Sequence, residues 1–530
     1  MSWRVLEKER VLIADLHFPK AVLNGIKYRE AVVKGCPVTL FQHDYQTWRA
    51  LRSIGLLAPS PLYQYSWPGR FKPMHHQLET VEHLILYDKA FCLDPIGSGK
   101  TNAAIWAGDY LQSIGEIRRI LVIAPLSIVD HVWARELFKT LPHRRAVVLK
   151  GSRDRKQALA KDTDYSWIIV NPDSLHIIVN HLPQVDLVVV DEFTFFKTRS
   201  TRRYKALAKL KDRKLWLMSG TPAPQAPTDA YAPIRLVNPK SISFMAFRDL
   251  TMIRVSQFRW VPRPEAEKVI AQWMQPAIRH RREECYDLPD VQVEPLKIDL
   301  TAQQEKLIDA FLRHAMAELD GKPITAANAA AVFSKVLQVM AGGVYETEAD
   351  GVRTVHMVDA KPYYETVERV VAQADTPVLI FTSFRSCVIA TVNHLKKRGY
   401  RVESVLGGDT GRAAVFDRFL NGELDALVAV SSTMSHGLTL TNCRVVVWAS
   451  PPTSFETYNQ ANGRVIRKGQ KNNVIIFHMV RNSIDKRLFS RLKSKERLQD
   501  AVLELLTERR KNGESKQTTS SGMDFPPGKD

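Results

Sequence analysis

The chain has 530 residues, 45% hydrophobic and 25% charged, proportions of a folded globular protein of about three or four domains rather than of a disordered or fibrous one. No run approaches about 18 uninterrupted apolar residues, and the first residues lack an apolar core, so neither a transmembrane helix nor a signal peptide is expected. Lys and Arg number 75 against 56 Asp and Glu, a net charge of +19, which points to a polyanionic partner, nucleic acid first, over a merely solubilising surface. The five cysteines, Cys36, Cys92, Cys285, Cys387 and Cys443, are scattered and form neither a zinc nor a redox pair, so a reducing, cytoplasmic compartment is expected.

Residues 1–70 mix short apolar runs with the breakers Pro59, Pro61, Pro68 and Gly69, and read as a small accessory module with no assignable chemistry. From Phe71 onward, strand-like runs at 90–93, 120–124, 167–170, 187–190 and 215–218 alternate with helical stretches. That alternation predicts a parallel sheet covered by helices on both faces. The pattern returns at 378–381, 426–430, 445–448 and 474–477. The expected division is 1–70 accessory module, 71–250 first lobe, 251–360 helical insertion or linker, 361–495 second lobe, and 496–530 C-terminal helix and disordered tail. An Ala-rich helix is expected over 326–340, closed by Gly342 and Gly343. A charged amphipathic helix is expected from Ser483 to about Arg510.

Asp94-Pro95-Ile96-Gly97-Ser98-Gly99-Lys100-Thr101 follows an apolar strand and precedes a predicted helix over 102–111. Gly97 and Gly99 let backbone N–H groups approach phosphate oxygens, Lys100 reaches towards β- and γ-phosphates, and the Thr101 hydroxyl is placed to hold Mg²⁺. The helix N-terminus adds its positive dipole end. Leu187-Val188-Val189-Val190 reads as a buried strand ending in Asp191-Glu192, which puts Asp191 in position to bind Mg²⁺ and Glu192 to polarise an attacking water. In the second block, Arg464 and Arg467 are three residues apart. On a helix they share one face, from which two guanidiniums suit a γ-phosphate.

These ordered motifs resemble those of helicase-superfamily-two ATPases, specifically the Swi/Snf-type double-stranded-DNA translocases in their compact bacteriophage form. The resemblance runs from Trp67 to Leu488. It implies an α/β fold of two tandem RecA-like parallel-sheet lobes with helical insertions, closing on ATP and Mg²⁺. It implies that Gln77 reads adenine, and it explains why Asp94 stands where a strict phosphate loop has glycine. Pro125 and Ser127, within the segment from Ala124 to Trp133, fall at the first DNA-contacting motif. Lys197 trails the acidic pair, and Ser219 to Pro222, with Ser219 and Thr221, matches the motif that couples nucleotide state to DNA grip. In the second lobe, Thr382 and Ser383 fall where the family meets backbone phosphate. Ser432, Thr433 and Gly437 lie in the motif touching both DNA and nucleotide, and Gln460, Arg464 and Arg467 lie in the arginine-finger motif. The family's histidine two residues after the acidic pair is replaced by Thr194.

The basic run Lys197 to Lys214 has two readings, a DNA-facing stripe or the solvated face of a helix over 202–210. Phe193, Phe195 and Phe196 read more simply as interior packing than as a DNA wedge. The implied activity is ATP-dependent translocation on or remodelling of duplex DNA, with forks or junctions as further substrates and no membrane involvement. The alternatives are a strand-separating or branch-migrating helicase and, in another class, a catalytically silent DNA-binding scaffold. For a phage-encoded chain the compartment is the bacterial host cytoplasm.

Overall fold

The computed structural model describes residues 2–19, 21–33, 35–224, 226–255, 260–285, 290–318, 326–347, 353–406, 411–434, 439–452, 454–467 and 469–494. The chain divides into two compact units: Met1–Pro222 with Ala232–Ser241 and Ala271–Cys285, and Ala223–Tyr231 with Ile242–Ile270 and Tyr286–Asp530.

The first unit is built on a seven-stranded, all-parallel sheet. In spatial order its strands are Ala277–Ile278, Lys89–Cys92, Lys214–Met218, Leu187–Asp191, Ile120–Ile123, Trp167–Val170 and Ala146–Val148. The five predicted strands form its centre, because continuous apolar runs are what a sheet buried on both faces requires. Both edge strands escaped the reading. Ala277–Ile278 has two residues, and Ala146–Val148 is only half-buried, so neither carries a periodic signal.

Residues 1–70 do not stand apart from this lobe. Trp3–Leu6, Val11–Ala14, Cys36–Gln42 and Tyr28–Val33 form a four-stranded antiparallel sheet in that order. Leu12, Phe41, Tyr45 and Trp48 belong to the same hydrophobic cluster as Val81, Ala90 and Trp106 of the lobe. Polar contacts reinforce the join: Tyr45 donates to the Ile85 carbonyl at 2.9 Å, Trp106 to the Pro68 carbonyl at 3.0 Å, and Tyr65 to buried Asp109 at 2.7 Å.

The second unit has a six-stranded parallel sheet ordered Val291–Lys297, Val474–Val480, Val445–Trp448, Val378–Thr382, Ala426–Val430 and Val402–Val405. Val378, Ile380, Val445 and Val447 enter one hydrophobic cluster, while Leu379, Phe381, Val446 and Trp448 enter another. Alternate residues of each strand thus serve opposite faces, both covered. Val291–Lys297, inside the stretch read as helical insertion, is a strand of this sheet. The Ala-rich helix spans Ala326–Met340, and the last helix is described over Ser483–Ser494. The expected continuation to Arg510 and the tail lie outside the described residues. Among the described residues no helix is long and apolar enough to cross a membrane.

Candidate functional site

The phosphate loop leaves the strand Lys89–Cys92 and enters the helix Lys100–Ser113. Gly97 and Gly99 both adopt left-handed backbone, φ 89° and 84°, which costs residues other than glycine. A Cβ at Gly99 would also displace the Gln77 amide from its place beside the loop. Lys100 Nζ folds back over the loop and donates to the carbonyls of Asp94 (2.8 Å) and Pro95 (2.9 Å). Among the described residues no side chain caps the N-terminus of helix Lys100–Ser113.

These residues fit a bound phosphate. Two glycines open the backbone, an ammonium lies over the loop, a helix dipole points into it, and the Ser98 hydroxyl is buried with no hydrogen-bond partner among the described residues. They fit Mg²⁺ in the manner of sites that share the ion with substrate phosphates. Such sites use one or two protein ligands beside the phosphates; Thr101 and Asp191 would supply them. Among the described residues no group of three or more His, Cys, Asp or Glu side chains is placed to hold a metal without them.

Asp191 ends its strand two strands away from the loop. Its carboxyl is partly reachable, yet desolvation pushes its pKa up, opposed by the hydrogen bond from Trp133 and the charge of Lys100. Trp133 Nε1 donates to Asp191 Oδ2 at 2.8 Å. The tryptophan is fully buried in a π-helical stretch, Val129–Ala134, between the short helices Leu126–Ile128 and Arg135–Thr140. Such widened turns recur at functional sites. The same segment begins with buried Pro125 and exposed Leu126. The side chain of Ser127 lies outside the described residues.

Glu192 is left-handed at φ 60°, ψ 65°, a strained conformation for a residue with a Cβ and one that clusters at active sites. Its Oε1 accepts from Ser219 Oγ at 2.6 Å and from Thr194 Oγ1 at 2.9 Å. The Thr194 hydroxyl thus joins Ser219 on the acidic residue itself. Ser219 Oγ also accepts from the Thr221 backbone N–H at 3.0 Å. Gly220 lies so close to the phosphate loop that a Cβ would stand 3.0 Å from Ile96 Cγ1 and 3.2 Å from Ile96 N. The Thr221 hydroxyl is a second buried oxygen here with no hydrogen-bond partner among the described residues. The loop, the acidic pair and the segment after strand Lys214–Met218 therefore form one hydrogen-bonded and close-packed site at the carboxyl ends of neighbouring strands, where parallel sheets place their ligands.

Gln77 is buried against the loop. Its Nε2 donates to the Ser98 carbonyl at 3.0 Å and its Oε1 accepts from the Met74 backbone at 3.0 Å. Asp94, 1% exposed, accepts from Thr80 and His280. Lys197 is half-buried beyond the acidic pair. The basic run divides. Lys214 pairs with Asp88 and Glu116, and Arg203 with Asp173, whereas Arg202, Lys205, Lys211 and Arg213 are exposed. Phe193 and Phe196 are fully buried and belong to the core, whereas Phe195 is half-buried with the Arg203 guanidinium 5.5 Å over its ring.

In the second unit Thr382 is fully buried and its hydroxyl accepts from the Phe384 N–H at 3.4 Å, while Ser383 is half-exposed. Ser432 is exposed, and Thr433 Oγ1 donates to the Val430 carbonyl at 2.7 Å. Gly437 lies outside the described residues. Buried Gln460 donates to Glu456 at 3.0 Å. The helical placement of the two arginines is corrected: the helix is Phe455–Asn462, and Arg464 and Arg467 follow it in turns. The helix stops at Gly463, whose N–H still reaches the Asn459 carbonyl at 2.9 Å. The chain then turns to place Val465 and Ile466 in the core. Arg464 is buried, and desolvation, then the neighbouring Arg467, lowers its pKa to about 9, leaving it cationic at neutral pH. Arg467 Nη1 donates to Thr439 Oγ1 at 3.0 Å.

The parts played by His280, Thr80 and the Trp133–Asp191 contact carry no sequence signal. Nothing local in the sequence marks His280 as a partner of a residue 186 positions earlier.

Two family models match the chain. The SNF2-related domain matches residues 76–341, half of the chain, and the helicase conserved C-terminal domain matches residues 363–469. The chain is 25% identical over 467 residues to a putative protein, p41, of Acyrthosiphon pisum secondary endosymbiont phage 1, covering 82% of this chain and 99% of the relative. It is 23% identical over 473 residues to an uncharacterized ATP-dependent helicase, YqhH, of Bacillus subtilis, covering 84% and 81%. A solved Sulfolobus solfataricus SWI2/SNF2 ATPase core in complex with dsDNA shares 20% identity with a TM-score of 0.39, covering 83% of this chain and 96% of that one. With a phosphate loop, an acidic pair and both helicase-type domains in one chain, this protein belongs to the SNF2-related family and is an ATP-hydrolysing enzyme of helicase type.

Proposed function

We propose that the chain couples ATP hydrolysis to movement along duplex DNA. The observation that carries this reading is the contact between Trp133 and Asp191. The segment expected to meet DNA and the aspartate expected to hold the metal are joined by one hydrogen bond. Nucleic acid as the partner is supported by the helicase-type domains and the net charge of +19, with Arg202, Lys205, Lys211 and Arg213 exposed in the first unit.

In this reading Lys100 and the backbone from Gly97 to Gly99 hold the β- and γ-phosphates, with Asp94 shaping the loop's entry and Gln77 next to the base. Thr101 and Asp191 hold Mg²⁺, which when bound neutralises charge on the phosphate oxygens. Glu192, steadied by Ser219 and Thr194, orients the attacking water. Arg464 and Arg467 stabilise charge developing on the terminal phosphate, a role whose loss costs about 10³-fold or more in turnover. Pro125, Ser127, Lys197, Ser383, Ser432 and Thr433 serve the DNA backbone. Thr382, being buried, shapes the loop that presents Ser383. Phosphate contact is indifferent to sequence and weakens steeply with salt. The setting is the cytoplasm, that of a bacterial host if the chain is phage-encoded.

The test is ATP turnover with duplex, single-stranded and forked DNA and with RNA at low salt, for wild type and Lys100→Ala. Strongest stimulation by duplex DNA, abolished in Lys100→Ala, is expected. Preference for forks or junctions would move the reading to a strand-separating or branch-migrating helicase. Absence of turnover with every nucleic acid would leave a DNA-binding scaffold.

A further inference from the structure

The edge strand Ala277–Ile278 pairs with Lys89–Cys92, the strand that feeds the phosphate loop. Two residues later, His280 turns onto Asp94. Its backbone N–H donates to Asp94 Oδ1 at 2.9 Å, and its ring Nδ1 lies 2.8 Å from the same oxygen. The other ring nitrogen lies 2.8 Å from Glu79 Oε2. Asp94 Oδ2 accepts from Thr80 at 2.8 Å. Both carboxylate oxygens are thus held, one by helix His75–Leu86 and one by the returning edge strand.

Asp94 faces the loop with its other polar group, because its backbone carbonyl accepts Lys100 Nζ at 2.8 Å. Fixing the carboxylate fixes the side-chain rotamer and the adjoining backbone, and with them the seat of the lysine. A carboxylate this deeply buried requires a cationic or multiply donating partner. His280 meets that need, and the hydrogen bond to Asp94 raises its pKa to about 9 against the pull of burial. Charged, it donates from both ring nitrogens, to Asp94 and to Glu79.

We propose that His280 is a positioning residue for nucleotide binding, fixing the backbone of Asp94 and thereby the seat of Lys100 at the mouth of the phosphate loop. The inference rests on the reading of that loop as the triphosphate site. The stretch Ala271–Cys285 lies in the chain between Ile242–Ile270 and Tyr286–Asp530, both in the second unit.

Two substitutions separate positioning from bulk structure. In His280→Asn the amide nitrogen takes the place of Nδ1 and can still donate to Asp94. In His280→Gln it takes the place of Nε2, so the side-chain bond to Asp94 is lost and only the backbone N–H still reaches that carboxylate. Equilibrium binding of fluorescently labelled ADP by the full chain, with KM and kcat for ATP and the thermal midpoint, is measured for wild type, both variants, Asp94→Asn and the Asp94→Asn/His280→Gln pair. His280→Gln is expected to weaken ADP binding and raise KM about tenfold, with kcat changed less than threefold. His280→Asn should stay within about threefold of wild type, and the double variant should be no worse than the poorer single. Equal losses in Asn and Gln, unchanged affinity in Gln, or additive losses in the double variant would overturn the proposal. If His280→Gln does not fold, the Asp94→Asn arm decides: undiminished ADP affinity there overturns it and a similar loss supports it. Wild type that binds no ADP would overturn the proposed function itself, and this inference with it.

Discussion

Trp133 and Asp191, 58 residues apart, are joined by a 2.8 Å hydrogen bond from the indole Nε1–H to Oδ2. A fully buried side chain of one segment thereby orients the carboxylate at the end of another's strand. Trp133→Phe removes the donor and keeps most of the ring. A hydrogen bond to a charged group is worth about 1.5–3 kcal/mol, so roughly a tenfold rise in the Mg²⁺ needed for half-maximal hydrolysis is expected. Magnesium titrations of ATP turnover check this, and an unshifted midpoint contradicts it.

Ser219 and Thr194 converge on Glu192 Oε1. Ser219→Ala and Thr194→Val should each lower kcat about three- to tenfold with little change in ADP affinity. Because both hydroxyls act on one oxygen, the double variant should lose less than the product of the two. Glu192→Gln, which removes the basic oxygen, should lower kcat by about 10²-fold or more. Steady-state kinetics beside nucleotide-binding titrations distinguish these outcomes.

The His280–Asp94 contact gives the first unit a dependence on alkaline pH. The His280 pKa is raised to about 9 from an ordinary 6.5, mainly by the bond to Asp94. A raised pKa means the folded state holds its proton more tightly than the unfolded chain. The stabilisation is therefore complete below about pH 6.5 and is lost as pH climbs through about 9. Burial raises the Asp94 pKa, but the hydrogen bonds from His280 and Thr80 outweigh it and leave it lowered, so its contribution holds above pH 3.8 and fades only in acid. Discounted for solvent screening, the His280 effect is about 1 kcal/mol. Denaturant unfolding at pH 6.5 and pH 9.5 should show this loss in wild type and little of it in His280→Asn.

Removing residues 1–70 should damage the lobe rather than trim it. The deletion exposes apolar surface around Val81 and Trp106 and leaves Asp109 without Tyr65. Arg144 remains on Asp109 at 2.6 Å, which does not replace the lost packing. The truncated chain is expected to be insoluble or to melt many degrees lower, by differential scanning calorimetry. A soluble chain with an unchanged midpoint would show that the shared core is dispensable.

The central strands and the phosphate loop were legible because their causes are local. Val188 to Val190 must be buried wherever they lie, and Gly97 and Gly99 report backbone angles that few other residues accept. The geometry of the arginine pair was not legible, since three-residue spacing implies a shared helical face only where the helix continues, and here it ends at Asn462. The N-terminal strands were invisible as part of the lobe because their packing partners lie tens of residues away.

By itself, then, the sequence determined two parallel-sheet units, a phosphate loop, an acidic pair and the family that bears them, all features written in runs of a few residues. Only the tertiary structure decided that Asp94 belongs to His280, Asp191 to Trp133 and Glu192 to both Ser219 and Thr194. Those pairings depend on which strand ends the fold brings side by side, and no local periodicity encodes a partner 58 or 186 residues distant.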